Sequence, residues 1–265
     1  FFGPVLDLLI SFVLFGIAIV MLAGAGAALN QMYKIEPSVG SMLMVLVVLV
    51  TLLWNAENII GILSTLTPYL LGFIFILLMY SLFTMDSSIS ELNALSKSQP
   101  SATSHWLLSA VLYVSFNFSA AAAMLIVIGG TVRDRNVAKR GGALGGLLLG
   151  LLIFLINLAL FAKMDVVRGV EMPTLMLAQQ IHPIMGIVMS IILLAMIYST
   201  AIGTLYILAV RIVSPERFLF KLMVIVLCLV AFAISLVGFT TLITNMYAVM
   251  GYLGILLVLV ILWSW

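Results

Sequence analysis

"WLLSAVLYVSFNFSAAAAMLIVIGG", residues 106–130, decides how this chain is read. The stretch exceeds the roughly 20 residues a bilayer core requires. Yet its middle holds Tyr113, Ser115, Asn117 and Ser119, where lipid offers no partner for an amide or a hydroxyl. Two readings stand. The side chains bond the helix's own carbonyls one turn back or glue neighbouring helices. Otherwise the helix breaks there, and its freed backbone groups line a cavity. Polar residues together with a glycine-rich end, here Gly129-Gly130, are the sequence pattern of a discontinuous transporter helix. The expectation is a break at residues 113–119.

The surrounding chain fixes the class. Apolar residues make up 65% and charged residues 8%, whereas a soluble domain carries about a quarter charged residues. The apolar runs are continuous rather than alternating, which excludes a barrel and leaves an all-α polytopic transmembrane bundle. Eight spans are expected at about 5–29, 38–54, 58–83, 106–130, 141–162, 184–210, 222–243 and 246–265. The first run is no signal peptide, since it lacks a basic start and is too long. The lone Cys228 allows no disulfide within the chain and reads as a buried small hydrophobe. No P-loop, GxGxxG, HExxH or CxxC pattern occurs, so an enzyme is not expected. A net charge of +2 gives no argument for nucleic acid.

Orientation follows from Lys and Arg. With an even number of spans, one side carries Arg133, Arg135, Lys139, Arg140, Arg211, Arg217 and Lys221; the other carries Lys34, Lys97, Lys163 and Arg168. The denser set marks the cytoplasm, so both observed ends are expected there, in a bacterial cytoplasmic (inner) membrane. Of the outer segments, Ser-rich 84–105 reads as a mobile loop. Within 163–183, "MPTLMLAQQI" has helical spacing with Pro173 near its start. It is either a short re-entrant lid or an ordered interfacial connector.

None of the nine acidic residues falls at mid-bilayer, which removes a carboxylate relay. Neutral oxygens do cluster at depth: Ser115, Asn117 and Ser119 in the fourth span, Ser199, Thr200 and Thr204 in the sixth, Ser64, Thr65 and Thr67 beside Pro68 in the third, and Asn157 in the fifth. They are either helix glue or an oxygen-rich patch suited to sodium. "LAGAGAALN" in the first span is a close-packing face or a glycine-lined path. The sixteen Met residues show no repeated motif and read as packing, not copper ligands. Glu57, between Asn55 and Asn58, is a solvated turn or one half of an inner gate closed by Arg133 or Arg135.

Five spans run from residue 106 onward and three precede it, so two five-helix inverted repeats would need two more spans at the N-terminus. Setting the first span against the sixth aligns Ser11 with Ser190, Gly24 with Gly203 and Leu29 with Leu208. The stretches "FFGPVLDLLISFVLFGIAIVMLAGAGA", "LLSAVLYVSFNFSAAAAMLIVIGG" and "RDRNVAKRGGALGGLLLGLLIFLINLAL" resemble the YkvI-like uncharacterised bacterial membrane proteins. That family is grouped with the LeuT-fold transporters of the amino acid–polyamine–organocation superfamily. The resemblance implies a single transporter-like domain over 1–265, with 1–83 the remainder of the first repeat and 106–265 the second. It makes 106–130 the unwound sixth helix, with Tyr113, Ser115, Phe116 and Asn117 framing substrate. It makes 184–210 the eighth helix, with Ser199 and Thr200 as candidate sodium ligands.

The expected function is secondary transport of a small organic solute, such as an amino acid, by alternating access. Coupling would be to sodium or protons, with no further cofactor. The rival is a transporter-like receptor that binds its ligand without net transport, for which germination-receptor subunits give a precedent. A channel-forming subunit would show a polar stripe along several spans, and none is seen.

Overall fold

The computed structural model describes residues 3–54, 67–99, 103–132 and 134–264, with the side chains of 3–6, 67, 123–131 and 261–264 outside that description. Among the described residues every regular element is helical. Six helices are long and apolar enough to cross a membrane, and two shorter apolar helices, Pro68–Phe83 and Trp106–Ala122, lie where two further spans are expected. In chain order the helices are α1 (Gly3–Tyr33), α2 (Pro37–Trp54), α3 (Thr67–Phe83), α4 (Ile89–Lys97), α5 (Trp106–Thr131), α6 (Arg135–Ala162), α7 (Met164–Val167), α8 (Pro173–Ile181), α9 (Pro183–Ile212), α10 (Phe218–Ser235) and α11 (Phe239–Ser264). The turn at Asn55–Asn58, with the inner gate proposed for Glu57, and the hydroxyls of Ser64 and Thr65 lie outside the described residues.

The chain folds into two compact units, each drawing on both sides of residue 83: one from 1–63, 101–125 and 194–265, the other from 64–100 and 126–193. The core of the first joins α1, α2, the second half of α9, α10 and α11 through Leu22, Val48, Ile202, Leu205, Val224, Cys228 and Leu242. The glycines and alanines of "LAGAGAALN" let α1 and α2 approach closely. A Cβ on Gly26 would lie 2.6 Å from Ser41 Oγ, and one on Gly40 would lie 2.9 Å from the Gly26 Cα. Ser41 Oγ also donates to the Leu22 carbonyl at 2.9 Å. This is the close-packing reading of the motif, since lipid tails supply no hydrophobic drive and association rests on dispersion. Lys34, at φ 60°, ends α1, and Asn30 Nδ2 holds the turn by donating to the Ile35 carbonyl at 2.9 Å.

One span boundary needs correcting. The last two spans meet at residues 236–238, not at 243–246. Gly238 has φ +104°, a conformation costly for any residue with a Cβ, and this stops the helix. Asn245 continues within α11.

In the second unit, Phe73, Leu77, Leu92, Leu175 and Leu177 are buried. The expected mobile loop at 84–105 is also corrected, because it contains α4, closed by a capping box. Glu91 N donates to Ser88 Oγ at 3.3 Å, and Ser88 N donates to Glu91 Oε2 at 3.0 Å. The short helix expected near Pro173 is present with that proline in its first turn. Its Leu175, Leu177 and Ala178 are fully buried, which favours the connector over a lid.

Among the described residues two charged side chains tie helix ends together, one in each unit. Arg211 near the end of α9 pairs with Asp7 near the start of α1. The buried Lys163, just after α6, donates to the Thr84 carbonyl just after α3 and lies 3.9 Å from Asp86. Each tie joins ends that the Lys/Arg distribution places on one side of the membrane.

Candidate functional site

The break expected at 113–119 is absent: α5 is continuous from Trp106 to Thr131. The reason lies in the polar side chains themselves. Asn117 Nδ2 donates to the Tyr113 carbonyl at 2.8 Å, and Ser119 Oγ donates to the Ser115 carbonyl at 3.0 Å. Each group is satisfied one turn back along its own helix, so no cavity is needed to solvate freed backbone.

The two faces of this stretch do different things. Ser115 and Ser119 are buried and pack on the glycines of α11. A Cβ on Gly254 would collide with the Ser115 carbonyl and lie 2.7 Å from Ser119 Oγ, and one on Gly251 would lie 2.9 Å from the Leu112 carbonyl. This is a small-residue crossing with serines on one helix and glycines on the other. The second face is aromatic. Tyr113 and Phe116 meet Tyr247 of α11, with ring centroids 6.2 Å apart at 8° and 4.3 Å apart at 43°. Phe116 also packs on the cluster of Val13, Ile17 and Met250. Asn117 stands half-exposed beside this wall. Its amide spends one N–H on the helix, leaving the other N–H and the carbonyl oxygen for a solute. Tyr247 was not foreseen; only its place in a distant span, opposite the i, i+3 pair Tyr113 and Phe116, marks it.

On α9 the candidate cation ligands also bond locally. Ser199 Oγ and Thr200 Oγ1 each donate to the Met196 carbonyl at 2.9 Å, and Thr204 Oγ1 donates to the Thr200 carbonyl at 2.7 Å. Their protons are committed, while their lone pairs stay open to an acceptor role. The neighbouring Tyr198 reaches another helix. Its hydroxyl lies 2.5 Å from Thr51 Oγ1, and because Thr51 donates to the Val47 carbonyl at 2.9 Å, the tyrosine supplies the proton. Asn117, Ser199 and Thr200 lie in one compact unit, but among the described residues no hydrogen bond joins Asn117 to the other two. Asn157 is exposed on α6, and Pro68 is exposed at the start of α3. No group of three or more His, Cys, Asp or Glu that could hold a metal occurs among the described residues.

These features define a polytopic α-helical membrane protein with an aromatic and amide-bearing face inside one unit. The chain is similar to the uncharacterized membrane protein YkvI of Bacillus subtilis strain 168, 26% identical over 256 residues, which span 96% of this chain and 71% of that protein. It is also similar to the uncharacterized protein YyaD of the same organism, 27% identical over 260 residues, 98% of this chain and 74% of that one. Both relatives support the resemblance to YkvI-like membrane proteins. No family model matches the chain, and no solved structure does.

Proposed function

We propose that the protein is a secondary transporter of a small organic solute in the bacterial cytoplasmic membrane, of LeuT-like architecture and working by alternating access. The observation that supports this reading is the half-exposed amide of Asn117 beside the aromatic wall of Tyr113, Phe116 and Tyr247, inside a bundle of apolar helices. A few placed polar groups on an otherwise apolar and aromatic face are what orient a small solute. The solute would be held by Asn117 and by the aromatic wall of Tyr113, Phe116 and Tyr247. Ser115 would act through the helix crossing it fills. Ser199 and Thr200 would offer neutral oxygens to sodium.

The continuity of α5 favours a second reading, a transporter-like receptor that binds without moving its ligand. Uptake separates the two. Proteoliposomes with an inward sodium gradient should accumulate at least one radiolabelled amino acid from a panel of twenty. N117A should weaken that uptake roughly tenfold, the size of one hydrogen bond to a polar solute. T200A should remove its sodium dependence. Saturable binding without accumulation would favour the receptor, and sodium-independent uptake would free Ser199 and Thr200 from any ion role.

A further inference from the structure

The start of α6 carries a charge pattern the transport reading does not use. Arg135, Lys139 and Arg140 are exposed, and none of their side chains has an ion pair or hydrogen bond among the described residues. By contrast, Lys163 and Arg211 are both tied internally. The nearest acid, Asp134, is engaged as the helix cap, accepting from Asn136 N at 2.8 Å. Directly below the cations the helix enters the membrane with its surface bare. Every residue from Gly141 to Leu151 is exposed, and only 6% of this span's apolar window is buried.

Helical spacing puts two of these cations on one face, with Arg140 about 100° round the helix from Lys139. Arg135, Lys139, Gly142, Gly146 and Gly150 follow one another at intervals of four, three, four and four, so they line up along the helix. A Cβ on any of the three glycines would meet nothing within 4 Å. The face is therefore a shallow trough with two unpaired cations at its head and a third beside them.

We infer that this face seats an anionic phospholipid, its headgroup on Arg135, Lys139 and Arg140 and an acyl chain along the trough of Gly142, Gly146 and Gly150. Cations at the edge of a membrane helix attract anionic headgroups. The trough makes the occupant a lipid rather than a free anion, because a soluble phosphate has nothing to place in it.

The test uses the full chain purified in detergent, with phosphatidylglycerol and phosphatidylcholine supplied in equal amounts. Native mass spectrometry should show retained phosphatidylglycerol in clear excess, and adding that lipid should raise Tm. R135Q/K139Q should weaken retention by about thirtyfold, the factor two surface cations account for. R135K/K139R should keep it, which guards against loss through misfolding. G146L fills the trough without touching charge and should also reduce retention. Equal retention of both lipids, the same Tm shift from inorganic phosphate, or an unaffected G146L protein would overturn the inference. So would efficient disulfide cross-linking of G146C between two copies in native membranes, which would show the face covered by a second chain.

Discussion

Ser115 illustrates why a polar side chain inside a membrane helix is not by itself a functional mark. Its carbonyl accepts from Ser119, and its backbone lies against Gly254. Hydroxyl and glycine together let two helices meet almost backbone to backbone. Adding one methyl at Gly254 presses on a carbonyl rather than on a flexible side-chain end, so G254A should cost about 1–3 kcal/mol. The check is a lower midpoint in SDS titration, with G72A, which faces open space, as the silent control. The polar cluster at 113–119 was visible in the sequence as something special, but its cause was not. The glycines it packs on lie more than a hundred residues further along the chain, and periodicity within one span carries no information about the span it touches. Tyr247 escaped for the same reason. Asn117 was legible as polar at depth, although its bond to the Tyr113 carbonyl shows that a continuous helix tolerates it.

At the scale of elements, α4 shows a signal that was present and outweighed. Ser88 and Glu91 stand three apart before a helical stretch, which is the capping-box pattern, but the serine-rich surroundings pointed to a loop. The box makes α4 sensitive to acid. The Ser88 backbone N–H, and then its hydroxyl, hold the Glu91 carboxyl below its ordinary value of 4.5. A carboxyl lowered by folding stabilises the folded form above its unfolded value, and that contribution fades as pH falls through the folded value. Protection factors for the amides of residues 89–97 should therefore be constant from neutral pH down to the ordinary carboxylate range and drop below it. E91Q should flatten this dependence; an unchanged wild-type profile at pH 3 would remove the cap's role. Helix existence was otherwise well read from continuous apolar runs. Boundaries were weaker: the last two spans were expected to meet at 243–246 and meet at 236–238, where the stop at Gly238 depends on a backbone angle that composition does not reveal.

For the whole molecule, a bundle of apolar helices was plain from hydropathy alone, whereas the grouping into two units was not, because it depends on which helices touch. The ties from Arg211 to Asp7 and from Lys163 to the Thr84 carbonyl each join two helix ends that the sidedness expected from Lys and Arg puts together. That sidedness has a direct readout, helped by the burial of the native Cys228. In intact cells a membrane-impermeant maleimide should label K97C, and should label R217C only after permeabilisation. Labelling of both from one side would refute the arrangement.

The central place of α1 has a consequence for how the protein is made. In α1, 67% of the membrane window is buried, and the helix shares a core with α2, α9 and α10. Yet α1 ends at Tyr33 and α10 begins at Phe218. At roughly 5–20 residues per second of synthesis, α1 must wait on the order of ten seconds or more in the bilayer before α10 can reach it. During that interval α2, which follows after a three-residue turn, is the partner at hand. The close fit of Gly26 and Gly40 then acts early, keeping the α1–α2 hairpin closed until α9, α10 and α11 emerge from the ribosome.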